Sequence, residues 1–83
     1  MATVMAEASM AQRPIGISVP HLRAWRLRKL MKQGELAKRA GVGRSTVIRA
    51  EQGGSISFDS VRALSYALGV TVEQLRFEDP EKQ

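Results

Sequence analysis

Gln33 to Gln52 reads QGELAKRAGVGRSTVIRAEQ, and two short helical patterns meet in it at Ala40-Gly41-Val42-Gly43. In the first, Glu35 to Ala40, Leu36 and Ala40 share one helical stripe while Lys38 and Arg39 turn toward solvent. A helix this short depends on packed neighbours for its stability. Gly41 stands where a helix-ending residue takes positive φ, which glycine does at little steric cost.

The second pattern, Arg44 to Gln52, divides cleanly on a helical wheel of about 100° per residue. With Arg44 at zero, Ile48 falls at about 40°, Ser45 at about 100° and Arg49 at about 140°, whereas Ala50 and Val47 fall at about 240° and 300°. One face is polar and basic with an isoleucine, and the other is small and apolar. The small face suits close approach to a second helix, on which Ala37 is equally small. Arg44, Ser45, Ile48 and Arg49 are therefore expected to face outward.

This spacing is that of a helix-turn-helix, whose second helix lies in a DNA groove. At Gln33, Leu36-Ala37, Gly41-Val42, Val47 and Glu51-Gln52-Gly53 the chain resembles the Cro and phage-repressor (XRE) type of helix-turn-helix family. Leu22-Arg23-Ala24-Trp25-Arg26 resembles the family's first helix. Ala67-Leu68-Gly69-Val70-Thr71-Val72-Glu73-Gln74-Leu75 resembles the end of its fourth and its fifth. The resemblance runs from roughly residue 20 to 76. It implies an all-α, compact five-helix domain that binds double-stranded DNA and regulates transcription, most simply as a repressor occupying an operator.

The resemblance also implies roles for single residues. Arg26 would pair with Glu51, tying helix 1 to the end of the recognition helix; the alternative is two solvated charges worth little. Gln33 would hydrogen-bond a phosphate. Three departures, at Lys32, Gly34 and Ala50, and one acceptable substitution, at Gly43, accompany these matches. Lys32 stands where a Ser, Thr or Asn usually caps helix 2, and Gly34 costs that helix about 0.5 to 1 kcal/mol relative to alanine. Gly43 replaces a hydroxyl cap of helix 3. Ala50 is smaller than usual and leaves space that Trp25 or Phe58 would fill.

On the outward face of helix 3, Arg44 and Arg49 can each present two parallel donors to guanine O6 and N7. Ser45 is short enough for close approach, and Ile48 offers an apolar surface to a thymine methyl. Thr46 lies nearer the DNA backbone; with Gln33, Lys32, Lys38 and Ser55 it forms the expected phosphate-contacting set. The alternative is a solvated face with two scattered arginines. The charge distribution favours DNA independently of the family. Leu22 to Gln52 carries nine Lys or Arg against two Glu, a net of +7, and the remainder carries four bases and six acids, a net of −2, giving +5 for the chain. Positive charge is thus gathered where phosphates would lie.

The chain's 83 residues suit one small domain. The expected division is an N-terminal arm at 1–18, the helix-turn-helix domain at 19–77 and a frayed acidic tail at 78–83. The arm lacks the basic start and apolar centre of a secretory signal, so a cytoplasmic location is expected. Its Arg13 is read either as a minor-groove or phosphate contact or as part of a solvated tail. No cysteine and a lone His21 leave no metal constellation, and no cofactor is expected. Neither a carboxylate pair, a nucleophile with a base nor a phosphate-cradling loop points to an enzyme. No apolar run is long enough to span a membrane.

Helix 1 is expected from Val19 or Pro20 to Lys29 or Met31, with Ser18 as cap and Leu22, Trp25 and Leu30 on its buried stripe. Trp25 reads as a core anchor in preference to a ligand-stacking residue. Helix 4 is expected from Phe58 to Leu68, capped by Ser57 and stopped by Gly69. Thr71 and Gln74 form a capping-box pattern for helix 5. Relatives commonly bind as homodimers on half-sites about 34 Å apart. The dimer surface is expected at Val72, Leu75 and Phe77, residues that would otherwise close the monomer core. The same fold also serves antitoxins, which bind a toxin as well as DNA, and non-DNA protein-interaction modules. The outward Arg44, Ser45 and Arg49 argue against the last.

Overall fold

The computed structural model describes residues 16–82. The Arg13 reading and most of the arm lie outside them. Five helices follow in order: α1 (Leu22–Arg28), α2 (Gln33–Ala40), α3 (Arg44–Glu51), α4 (Phe58–Leu68) and α5 (Val72–Phe77). Two two-residue strands, β1 (Ile17–Ser18) before α1 and β2 (Ser55–Ile56) after α3, pair antiparallel. A 3-10 turn at Pro80–Lys82 closes the described chain. Val19, Leu22, Leu36, Val47, Val61, Leu64 and Leu75 have no exposed surface and form the centre of one core, which Trp25, Ala37, Ala50, Ile56 and Leu68 complete.

The start of the domain differs from expectation. Ser18, expected as a helix cap, is a strand residue opposite Ser55, with Ile17 opposite Ile56. Its backbone is committed to the ladder, so the helix begins later, at Leu22. The N-cap is His21, with no side-chain capping bond. Val19 points into the core between strand and helix, and the His21 N–H donates to the Leu75 carbonyl at 3.1 Å, joining the start of α1 to α5.

The end of α1 is also earlier than expected. Leu30 has φ 60°, the only non-glycine among the described residues with positive φ, and is 90% exposed. It therefore leaves the buried stripe on which the periodicity places it. The helix stops at Arg28, and the turned backbone lets the Met31 N–H reach the Arg26 carbonyl at 3.2 Å.

The remaining helix ends follow local chemistry. Gly41 and Gly69 are left-handed, at φ 72° and 70°, and end α2 and α4. Ser57 Oγ accepts from the Ser60 N–H at 3.2 Å. Thr71 Oγ1 accepts from the Gln74 N–H at 3.0 Å while Gln74 Oε1 accepts from the Thr71 N–H at 2.8 Å, the full reciprocal box. At α2 only half the box forms. Glu35 Oε1 accepts from the Lys32 N–H at 3.3 Å, but an ammonium has no lone pair to return the bond.

Three further expectations are corrected. Phe58 is 60% exposed and does not fill the space beside Ala50, whereas Trp25 is buried in the same cluster as that alanine. Leu75, expected at a dimer surface, is wholly buried, because the short α5 closes the monomer core; Val72 packs against that core and Phe77 is left exposed. The tail from Glu78 does not fray at once. Pro80 is buried, its carbonyl accepts from Arg28 Nη1 at 3.0 Å, and the Trp25 indole N–H lies between the Gln74 and Glu78 carbonyls at 3.1 and 2.9 Å.

Candidate nucleic-acid interface

The two helices of the motif are locked by their small faces. Val47 and Ala50 of α3 are fully buried, and Leu36 and Ala37 of α2 lie in the same cluster. With Ala37, Val47 and Ala50 small and Leu36 the one larger group in the cluster, α3 is held with its opposite face outward. On that face Arg44, Ser45 and Arg49 are exposed, and Ile48 and Thr46 are half-buried. The wheel assignment therefore matches the burial for the inward pair, which is closed to solvent, and for Arg44, Ser45 and Arg49, which are open to it, while Ile48 is partly covered. Gly43 caps α3 through its backbone alone, with the Ser45 and Thr46 hydroxyls grouped around the space its side chain would take.

A buried polar tie fixes α3 relative to the helices before it. Arg26 Nε lies 2.5 Å from Glu51 Oε2 and Nη2 lies 3.1 Å from Oε1, while Nη1 donates to the Met31 carbonyl at 2.7 Å. Gln33 Nε2 donates to Glu51 Oε1 at 2.9 Å. The Arg26 and Glu51 side chains are 8% and 5% exposed, so the pair is bidentate, shielded from water and hydrogen-bonded on both carboxylate oxygens. One carboxylate at the last turn of α3 thus holds the end of α1 and the start of α2. Gln33, read from the sequence as a phosphate contact, gives one of its two amide N–H donors to this tie.

Beside the tie lies an open cleft of about 600 Å³ lined by Arg23, Arg26, Lys32, Gln33, Gly34, Glu35 and Arg44. It is here that residues from three helices meet: Arg23 from α1, Lys32 and Gln33 at the head of α2, and Arg44 at the head of α3. The first turn of a helix leaves N–H groups without intrahelical partners, and its dipole favours an anion there. Arg26 is neutralised by Glu51, leaving Arg23, Lys32 and Arg44 as the cleft's exposed cations. The fold brings together Lys32, Gln33 and Arg44 of the expected contact residues. Lys38 and Ser55 are exposed but lie outside the cleft lining. Arg23 was not singled out from the sequence; only the excess of positive charge over 22–52 pointed to it, since the cleft that gives it neighbours is tertiary.

A small helical domain that presents a basic helix beside a cationic cleft belongs to the helix-turn-helix class of DNA-binding proteins. Within that class the chain is a member of the Cro/C1-type (XRE) helix-turn-helix family, whose profile matches residues 22–75, from the first residue of α1 into α5. The family is one of DNA-binding transcription regulators. No match was found among curated proteins or among solved structures. Among the described residues no helix is long and apolar enough to cross a membrane.

Proposed function

We propose that the protein is a sequence-specific transcriptional repressor that occupies an operator with α3 in the major groove. The carrying observation is the continuity of α3's exposed Arg44, Ser45 and Arg49 with the Arg23–Lys32–Arg44 cleft. In this reading Arg44 and Arg49 take guanines, Ile48 takes a thymine methyl and Ser45 permits close approach. Arg23, Lys32, Thr46, Lys38 and Ser55 contact the sugar-phosphate backbone, which sets register and supplies the salt-dependent affinity. Gln33 contributes through its backbone at the head of α2 and through the grip it keeps on Glu51. Repression follows from occupancy alone, by blocking polymerase. The protein acts in the cytoplasm as a homodimer on half-sites about 34 Å apart. Of the dimer residues expected from sequence, Phe77 is the exposed one, with the Arg76 guanidinium 4.7 Å from its ring centre.

The test compares wild type with an Arg44→Ala, Arg49→Ala variant on the protein's own upstream DNA and on random duplex over a range of salt concentrations. Preferential upstream binding by wild type, lost in the variant while weak salt-sensitive binding persists, is the expected outcome. Absence of binding by either protein at low salt would sink the reading.

A further inference from the structure

The loop between α3 and β2 comes against the outward face of α3 at one place. A Cβ placed on Gly54 would lie 2.7 Å from Arg49 Cγ, 3.1 Å from the Arg49 carbonyl oxygen and 3.4 Å from Cδ. Carbon atoms rest at about 3.5 to 4.0 Å, so there is no room for a methyl group without moving the arginine stem. Gly54 is not among the positive-φ glycines. What requires glycine here is space, not backbone conformation.

The loop cannot simply retreat. The Gly54 N–H donates to the Arg49 carbonyl at 2.9 Å and the Gly53 N–H to the Ala50 carbonyl at 3.2 Å. The next residue, Ser55, is held in the strand pair by Ser18. From the far side Gly16 presses on the same strand, where a Cβ would lie 2.8 Å from the Ile56 carbonyl oxygen and 2.9 Å from Ser55 Cβ. The Arg49 stem thus lies across a bare and fixed piece of main chain. A free arginine carries one of the largest side-chain entropies, and a stem laid on a fixed surface gives up part of it before any ligand arrives.

We infer that Gly54 is a specificity-determining residue: its bare backbone seats the Arg49 stem and aims the guanidinium at a single base pair. The inference rests on the proposed base contact of Arg49 and adds the element that orients it. Loss of the seat leaves the charge in place and lets the fork wander, so the effect falls on discrimination more than on affinity.

Base preference is measured by selection from random duplexes, followed by titration on preferred and single-substituted sites, for wild type, Gly54→Ala, Arg49→Ala and the double variant. Melting by circular dichroism accompanies each. Arg49→Ala is expected to flatten preference at one base pair. Gly54→Ala lowers discrimination at that same base pair about tenfold and leaves the salt dependence unchanged. In the Arg49→Ala background Gly54→Ala has no further effect on base preference, because the stem it displaces is gone and only the contact with the carbonyl at position 49 remains. A Gly54→Ala protein with wild-type preference, alongside a flattened Arg49→Ala, overturns the seat and leaves the base contact standing. Equal weakening by Gly54→Ala on all sequences, or in both backgrounds, also overturns it. If Arg49→Ala keeps every preference, the base contact itself is wrong and the inference goes with it. A Gly54→Ala chain that unfolds but is rescued by Arg49→Ala places the clash on the stem and upholds the seat; one not rescued places it on the main chain and overturns it.

Discussion

The two halves of this domain secure their helices by different means. In the C-terminal half, α4 and α5 begin with side chains that satisfy free N–H groups, Ser57 for one and the Thr71–Gln74 box for the other. Among the described residues of the N-terminal half no N-cap side chain does this: His21, Lys32 and Gly43 all lack a side-chain capping bond, and α2 keeps only the bond from the Lys32 N–H to Glu35. Besides the shared core, the helices of this half are tied by one buried ion pair between α1 and α3, to which Gln33 of α2 is hydrogen-bonded. The contrast teaches that, over one shared core, the half carrying the basic face adds a long-range polar tie and the scaffold half adds local caps.

The sharpest way to break the contrast is to remove the carboxylate. Glu51→Ala strands Arg26 in a site closed to water, and breaking a buried pair by removing one partner costs about 3 to 5 kcal/mol. Denaturant unfolding is expected to show that loss, a large share of the roughly 5 to 15 kcal/mol such domains possess. The loss of one hydroxyl cap, Thr71→Ala, is expected to cost about 1 kcal/mol in the same assay. Equal effects from the two variants would refute the division between long-range and local support.

A second comparison turns on Leu30, whose left-handed backbone costs an ordinary residue about 1 to 2 kcal/mol. Its side chain is almost wholly exposed, so Leu30→Gly relieves the strain and gives up little burial. After subtracting glycine's larger unfolded-state entropy, about 0.4 to 1 kcal/mol, a net gain of under about 1 kcal/mol is expected from denaturant unfolding, with a raised midpoint. A loss of stability would mean that the leucine makes contacts worth more than the strain. The smallest effect is expected at the head of α2, where Lys32→Ser supplies the missing half of the capping box and gains about 0.5 kcal/mol. That variant also removes a cation from the cleft. It is expected to weaken binding on all DNA sequences alike and to make the salt dependence shallower by about one phosphate contact.

The parts of the molecule that were legible in sequence are those encoded over a few neighbouring residues. Ser57, Thr71 with Gln74, Gly41 and Gly69 mark helix ends because each acts on backbone within one turn, and the two faces of α3 follow from helical period alone. The β1–β2 pair was not legible. Two residues are too few for an alternating pattern, and their partner lies beyond three helices. The stripe through Leu22, Trp25 and Leu30 misled because periodicity continues past the residue at which a backbone turns. The Arg26–Glu51 pair follows from the family resemblance, whereas Gln33's bond to Glu51 does not. The reach of Gln33 to Glu51 depends on how α2 meets α3, which local pattern does not encode. The placement of Arg23 in the cleft and of Arg49 over Gly54 was hidden for the same reason.

The chain has one tryptophan, and its indole N–H is held between the carbonyls at the end of α5 while α1 carries the ring. That bond joins the two ends of the domain and engages neither α2 nor α3. The molecule therefore carries its own optical gauge. The emission of Trp25 should shift to longer wavelength when α1 and α5 separate and the ring meets water. It should change little when DNA docks on α2, α3 and the exposed Arg23 of α1, because the ring stays buried, so folding and binding can be followed on separate channels in one cuvette.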